Sequence, residues 1–215
     1  MGFESVKKIA EANFPTRWGA FRIFGFVGQL AAARPCDENA GAGNGKVEEL
    51  VALVMGDIHS APPLVRIHSQ CLTGDVFGSR RCDCGEQLDL SLQLINAKGF
   101  GVLIYLRQEG RGIGLLKKLQ AYNLQDEGMD TVDANVHLGH LADERVYDVA
   151  AMILQNLQVA SVDLMTNNPK KIAALRSLGV DVRERIAIEV PAHADNRTYL
   201  KTKAEKMAHL LFGKQ

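Results

Sequence analysis

Short apolar runs alternate with longer stretches in which apolar positions recur every three or four residues, and this alternation organises most of the chain. Val51 to Met55 and Leu64 to His68 read as strands. Glu86 to Lys98 reads as a helix with Leu88, Leu92 and Ile95 on one face and Gly99 as its stop. A buried strand follows at Val102 to Leu106, then a helix from about Ile113 to Gln125. Beyond these come a helix at Glu144 to Leu157, a strand at Ser161 to Met165, a helix at Pro169 to Leu178 ended by Gly179, and a strand at Val180 to Ile188. The order predicts an α/β fold, a layered α/β/α domain with a mixed β-sheet. A final helix, Arg197 to Phe212, carries Lys201, Lys203 and Lys206 on a cationic face that reads as solvated surface.

The one break in the pattern is residues 31–46, AAARPCDENAGAGNGK, where Ala, Gly and Asn replace any periodic apolar signal. This segment is expected to be a flexible surface loop on a single domain spanning residues 1–215. With 47% hydrophobic residues the chain can bury a substantial core. Lys plus Arg and Asp plus Glu balance at 25 each, so no global field draws the protein onto nucleic acid or a membrane surface, and neither is expected as a partner. The N-terminus lacks an apolar leader, no apolar run approaches the length of a membrane span, and cysteines are few. These features point to the cytoplasm.

Three of the four cysteines, Cys71, Cys82 and Cys84, fall within RIHSQCLTGDVFGSRRCDCGEQL. Their C-x10-C-x-C spacing departs from the paired C-x2-C of zinc fingers. Three thiolates leave one position of a tetrahedral zinc free for water, the arrangement of a catalytic rather than a structural zinc. Cys36 lies in the expected loop and is excluded as a ligand. His68 is either a fourth ligand or a neighbouring group, and the second reading is preferred because a fourth protein ligand would close the metal. His137 and His140, in VHLGH with no predicted helix to orient them, read as surface histidines.

Two further segments suit phosphate. RQEGRGIGLLKK places glycines and arginines between a strand and a helix, where backbone amides can approach an anion. TNNPKK places Asn168 as a cap, Pro169 in the first turn, and Lys170 and Lys171 beside the helix start, where their charge opposes the dipole unless an anion offsets it. Asp143, in ADERVYD, reads as a helix cap, and Tyr122 as a core aromatic on an amphipathic helix. An open zinc site with two phosphate-suited helix starts implies a hydrolase acting on a nucleotide or another phosphorylated heterocycle.

RIHSQCLTGDVFGSRRCDCGEQL, YLRQEGRGIGLLKKLQAYNLQDEG, DTVDAN, LADERVYDVAAMIL, LMTNNPKK and YLKTKAEKMAHLL, in this order, closely resemble GTP cyclohydrolase II of riboflavin biosynthesis, in its monofunctional form. The resemblance implies a homodimeric enzyme that converts GTP, with magnesium on its phosphates and water, to formate, pyrophosphate and a 2,5-diamino-6-ribosylamino-pyrimidinone 5′-phosphate. By resemblance, Cys71, Cys82 and Cys84 hold a zinc that activates water for attack at C8 of guanine. Arg66, Ile67, His68, Ser69, Gln70, Gln87, Glu109, Gly110, Arg111, Thr131, Thr166 and Lys171 fall on the family's GTP contacts. Asp143 matches its proton acceptor, Arg145 its nucleophile toward the α-phosphorus, and Tyr122 the tyrosine needed for full ring opening.

The chain departs from that pattern at Gln70, where the family motif has Glu. A neutral amide there still accepts one bond from the donor edge of guanine, so weaker or altered base recognition is expected rather than loss of function.

Overall fold

The computed structural model describes residues 2–31 and 47–211, so the expected loop, apart from Ala31, lies outside the described residues together with Cys36. β1 (Phe3–Thr16) and β2 (Gly19–Leu30) form a long antiparallel hairpin, and β3 (Val47–Met55) extends it. β4 (Leu64–Ser69) leads into one helical turn, α1 (Leu72–Asp75), and then α2 (Cys84–Lys98). After β5 (Gly101–Leu106) come α3 (Leu115–Asp126), α4 (Thr131–His137) and α5 (Asp148–Asn156). β6 (Ser161–Met165), α6 (Pro169–Ser177), β7 (Asp181–Ile186) and α7 (Arg197–Lys206) complete the described chain.

The sheet has seven strands in the order β1-β2-β3-β5-β4-β6-β7. β5 pairs antiparallel with β3 and parallel with β4, and β4, β6 and β7 continue the parallel half, so the sheet is mixed as expected. Because strand side chains alternate between faces, β4 divides its residues between two layers. Val65 and Ile67 join the larger core with Val149, Ile153 and Leu154 of α5 and Leu175 of α6. Leu64 joins the opposite core with Leu92 and Ile95 of α2. Arg66 and His68 share the α2 side with Leu64, and this parity delivers Arg66 to the site.

Several boundaries differ from the sequence expectation. The helix expected from Glu144 begins only at Asp148, with Tyr147 as its cap, so Asp143 is not a helix cap. The segment around VHLGH, read without a helix, contains α4, which starts where Asp130 accepts from the backbone N–H groups of Val132 and Asp133. His137, in its last turn, is exposed as read. The final helix ends at Lys206 rather than running on to Phe212. Gly99 does terminate α2, with a left-handed φ of 82° that favours glycine.

Candidate active site

The segment after β4 turns back on itself so that Cys71, at the start of α1, meets Cys82 and Cys84, at the start of α2. Their three sulfurs lie within 4.8 Å of one another, and Cys71 Sγ is 3.7 Å from Cys82 Sγ. Tetrahedral zinc with Zn–S near 2.3 Å would separate its sulfurs by about 3.8 Å, so the cluster has the dimensions of a thiolate metal site. The cradle is tight around Gly74: a Cβ there would lie 3.0 Å from Cys82 Sγ and 3.2 Å from Cys71 Sγ. Three thiols this close cannot all ionise without a cation among them. Bonds from Cys82 and Cys84 hold the Cys71 thiol well below its ordinary range, whereas the bond to Cys71 pushes Cys82 up to about 11 and Cys84 is raised as well.

Buried polar groups fix the loop that carries Cys71. Asp75 accepts from the Cys71 N–H at 2.9 Å, from the Tyr105 hydroxyl at 2.8 Å, and pairs with His68 Nε2 at 3.0 Å. His68 is thus committed to Asp75 and does not face the sulfurs, in keeping with a neighbouring group rather than a fourth ligand. Glu109 Oε2 accepts from the Leu72 N–H at 2.6 Å, and Glu109 Oε1 accepts from Lys118 Nζ at 2.7 Å. Lys118 also donates to Cys71 Sγ at 3.1 Å and to Thr73 Oγ1 at 3.0 Å. Lys118 carried no sequence signal beyond being one of two adjacent lysines on a helix.

The cysteines open onto a cleft lined by residues from β4, α2, α3, α6 and α7. Of the residues singled out from sequence, Arg66, Ser69, Gln70, Gln87, Glu109, Gly110, Arg111, Tyr122, Thr131, Arg145, Thr166 and Lys171 line it. Ile67, His68 and Asp143 do not. Ile67 is fully buried in the core and only its carbonyl reaches the site, accepting from Lys171 Nζ at 2.7 Å. Asp143 supports Arg145 from behind with a bidentate pair, 2.8 Å to Nε and 2.6 Å to NH2. Burial pushes the Asp143 carboxyl up, but its bonds from Arg145 outweigh this and leave it below the usual range; Arg145 is correspondingly raised. Tyr122, read from periodicity as a core aromatic, is half-buried and sets its hydroxyl 3.3 Å from Thr73 Oγ1 on the cavity wall.

Among the described residues, seven lysines and arginines line the cavity against one carboxylate, Glu109. Lys118 and Arg145 have the carboxylate partners named above, Arg81 pairs with Asp126, and Lys203 pairs with Asp83. Lys203 is therefore buried in the site, which corrects its reading as solvated surface. Among the described residues no carboxylate pairs with Arg66, Arg111 or Lys171. Both terminal nitrogens of Arg111 are buried without a hydrogen-bond partner among the described residues, and Arg111 itself holds a left-handed backbone, φ 63°, that non-glycine residues adopt only at a cost. Burial and the neighbouring Arg66 and Arg145 pull the Lys171 ammonium well below its ordinary range. Asn168 caps α6 by accepting from the Lys170 N–H at 3.0 Å, as expected. Such an excess of buried positive charge matches a polyanionic ligand.

The family described as GTP cyclohydrolase II matches residues 7–187. The chain belongs to the GTP cyclohydrolase II family. Among similar proteins, the riboflavin biosynthesis protein RibBA of Bacillus mycoides (strain KBAB4) is 49% identical over 207 residues, covering 96% of this chain and 48% of that protein. RibBA of Bacillus subtilis (strain 168) is 48% identical over 208 residues, again 96% of this chain and 48% of that protein. The chain therefore spans about half the length of the curated relatives it matches. A crystal structure of RibBX, a two domain 3,4-dihydroxy-2-butanone 4-phosphate synthase from A. baumannii, matches with a TM-score of 0.44 and 17% identity over 87% of this chain and 41% of that one, a likeness that carries no argument.

Proposed function

We propose that this chain is a zinc-dependent GTP cyclohydrolase that opens the imidazole ring of GTP and releases formate and pyrophosphate, leaving 2,5-diamino-6-ribosylamino-4(3H)-pyrimidinone 5′-phosphate, the first step of riboflavin biosynthesis. The observation that carries the proposal is the thiol trio set in the wall of a cavity whose other walls are strongly basic, in a member of this family. Cys71, Cys82 and Cys84 would hold the zinc. When bound there, zinc supplies an electrophile and a water of lowered pKa at the ring.

The remaining roles fall to the chain's own side chains. Arg66, Arg111 and Lys171, which lack carboxylate partners among the described residues, bind the phosphates together with magnesium. Gln70 and Gln87 line the cavity where they can meet the base. Tyr122 presents a phenol beside the thiols and serves proton transfer during ring opening. Asp143 and Arg145 act as one unit at the α-phosphorus. Attack by Arg145 would form an N–P bond as the bond from the α-phosphorus to pyrophosphate breaks, with the Arg145 proton passing to Asp143 and water later cleaving the N–P bond; the opposed shifts of the pair make that proton transfer uphill.

Association into a homodimer is part of the proposal and is supported by exposed apolar side chains beside the site, Val76 and Phe77 after α1 and Leu116 and Leu119 on α3. No helix among the described residues is long and apolar enough to cross a membrane.

Incubating the zinc-loaded protein with GTP and magnesium and measuring formate and pyrophosphate separately tests the activity. Both should appear in equal amounts. Pyrophosphate without formate would indicate an enzyme that stops at a formylamino-pyrimidine, and absence of both would leave a silent metal-binding module.

A further inference from the structure

The motif YLKTKAEKMAHLL has an inward role that its charge pattern conceals. On α7, Lys203 turns into the protein and its Nζ lies 2.6 Å from Asp83 Oδ1, while the Tyr199 ring lies under Lys203 at 4.5 Å and near Arg111 at 5.8 Å. The helix then stops, and Ala208 takes a left-handed φ of 55° that reverses the chain. The reversal is held at both ends: the His209 N–H donates to the Lys203 carbonyl at 3.0 Å, and the Leu210 N–H donates to the Asn167 carbonyl, in the TNNPKK segment, at 2.8 Å. The His209 ring is thereby placed on the cavity wall.

His209 Nε2 is buried and, among the described residues, has no hydrogen-bond partner. Buried ring nitrogens are ordinarily satisfied, so an orphan at a cavity wall points to a ligand. Its charged surroundings decide which kind. Lys203 from α7, Arg145 from the segment before α5, Arg111 from the turn after β5 and Lys171 from α6 all bear on it, with Asp83 and Asp143 engaged on Lys203 and Arg145. Four cations exclude a metal ion and favour an anion. Burial, then these cations, push the imidazole down to about 3, so it is neutral and can donate from Nε2 in the appropriate tautomer.

We propose that His209 is a polyphosphate-binding residue of this cavity, donating from Nε2 to a phosphate oxygen, so that the segment after α7 supplies part of the substrate site. This rests on the nucleotide reading above and assigns its phosphate end to a residue that reading did not include.

Calorimetric titration of the zinc-loaded full chain with inorganic tripolyphosphate, GTP and guanosine tests this. His209→Ala should weaken tripolyphosphate and GTP by about tenfold to a hundredfold, the range for a hydrogen bond to a charged partner, and leave guanosine unchanged. His209→Gln, which keeps an N–H donor at similar reach, should recover part of the loss and guards against a folding defect in the alanine variant. Unchanged tripolyphosphate affinity in His209→Ala, or an equal loss for guanosine, would overturn the assignment. The test is separable from the activity: a parent that binds tripolyphosphate but releases no formate from GTP sinks the cyclohydrolase reading and leaves His209 to be decided by the titration.

Discussion

Lys203 Nζ and Asp83 Oδ1, 120 residues apart in sequence, meet at 2.6 Å with their side chains 11% and 2% exposed. Asp83 stands between two of the cysteines. Its other oxygen accepts from Gln87 Nε2 at 2.6 Å, and Gln87 Oε1 in turn accepts from Arg66 NH2 at 2.7 Å. One buried ion pair thus ties α7 through the cysteine loop and α2 to β4.

Lys203→Met should therefore destabilise the protein by about 3–5 kcal/mol in urea denaturation, because it strands a buried carboxylate. Burial pushes Asp83 up, but Lys203 outweighs this and holds it below its ordinary range; burial pushes Lys203 down, but Asp83 leaves it raised. The lowered carboxylate contributes stability above its unfolded pKa and loses it as pH falls through the folded value. The raised lysine contributes below its unfolded pKa and loses it only as pH rises through the folded value. The gap between parent and variant should hold from about pH 5 to 9 and narrow in acid. A gap below about 1 kcal/mol at neutral pH would show that the pair is not the tie described.

Gly74→Ala should loosen the metal site without removing a ligand. The added Cβ would press on two sulfurs, at 3.0 and 3.2 Å, so the trio must spread. Zinc should dissociate faster in a chelator competition, while the far-ultraviolet circular dichroism stays that of the parent. Parent-like zinc retention would mean that the sulfurs have room to yield.

Lys118→Met removes the donor that bridges Cys71 Sγ and Glu109 while keeping the aliphatic stem. Zinc affinity should fall by about tenfold to a hundredfold, as for other groups that orient ligands from outside the coordination sphere. Competition with a chromophoric chelator measures it, and an unchanged affinity would confine Lys118 to holding Glu109.

Arg145→Ala should suppress pyrophosphate release and leave zinc content at about one per chain, since Arg145 lies outside the thiol cluster. Cys82→Ser should do the converse, losing most of the metal and ring opening with it. Pyrophosphate release at the parent rate from Arg145→Ala would remove that residue from the phosphoryl step.

Gln70→Glu should tighten GTP by about fivefold to fiftyfold, because a charged acceptor bonds more strongly than a neutral one. Gln70 lines the cavity, and its backbone N–H is anchored to the Leu106 carbonyl at 2.8 Å. Comparison with ITP, which lacks the 2-amino group, locates the contact. An equal gain for both nucleotides takes the amino group out of it, and no gain for either takes away the contact with the base.

The layered α/β class was legible because its buried elements carry strong periodicity: Leu92 and Ile95 on α2 and the near-continuous apolar β5 show in the sequence what they bury. The hairpin β1–β2 was not, since β1 is exposed along nearly its whole length and has no buried face to impose an alternating pattern. α4 is too short for periodicity and is marked only by its Asp130 cap. Within the site, chemistry-bearing clusters such as the cysteines were readable locally. Lys203 was not, because a lysine on a helix takes its role from a partner, Asp83, that only the tertiary fold supplies.

The strand order carries a consequence for how the molecule comes together. β3 and β4 follow one another in sequence but are never neighbours, since β5 lies between them and alone hydrogen-bonds to both the antiparallel and the parallel half. Until β5 arrives, β4 has no edge to join on that side, and the connection that carries all three cysteines has an unanchored start. Folding must therefore search over a long loop before it gains the pairing that closes it, which slows sheet completion. The thiol trio lies wholly within the β4–β5 crossover, so the pairing that completes the sheet also anchors the start of the segment that bears it.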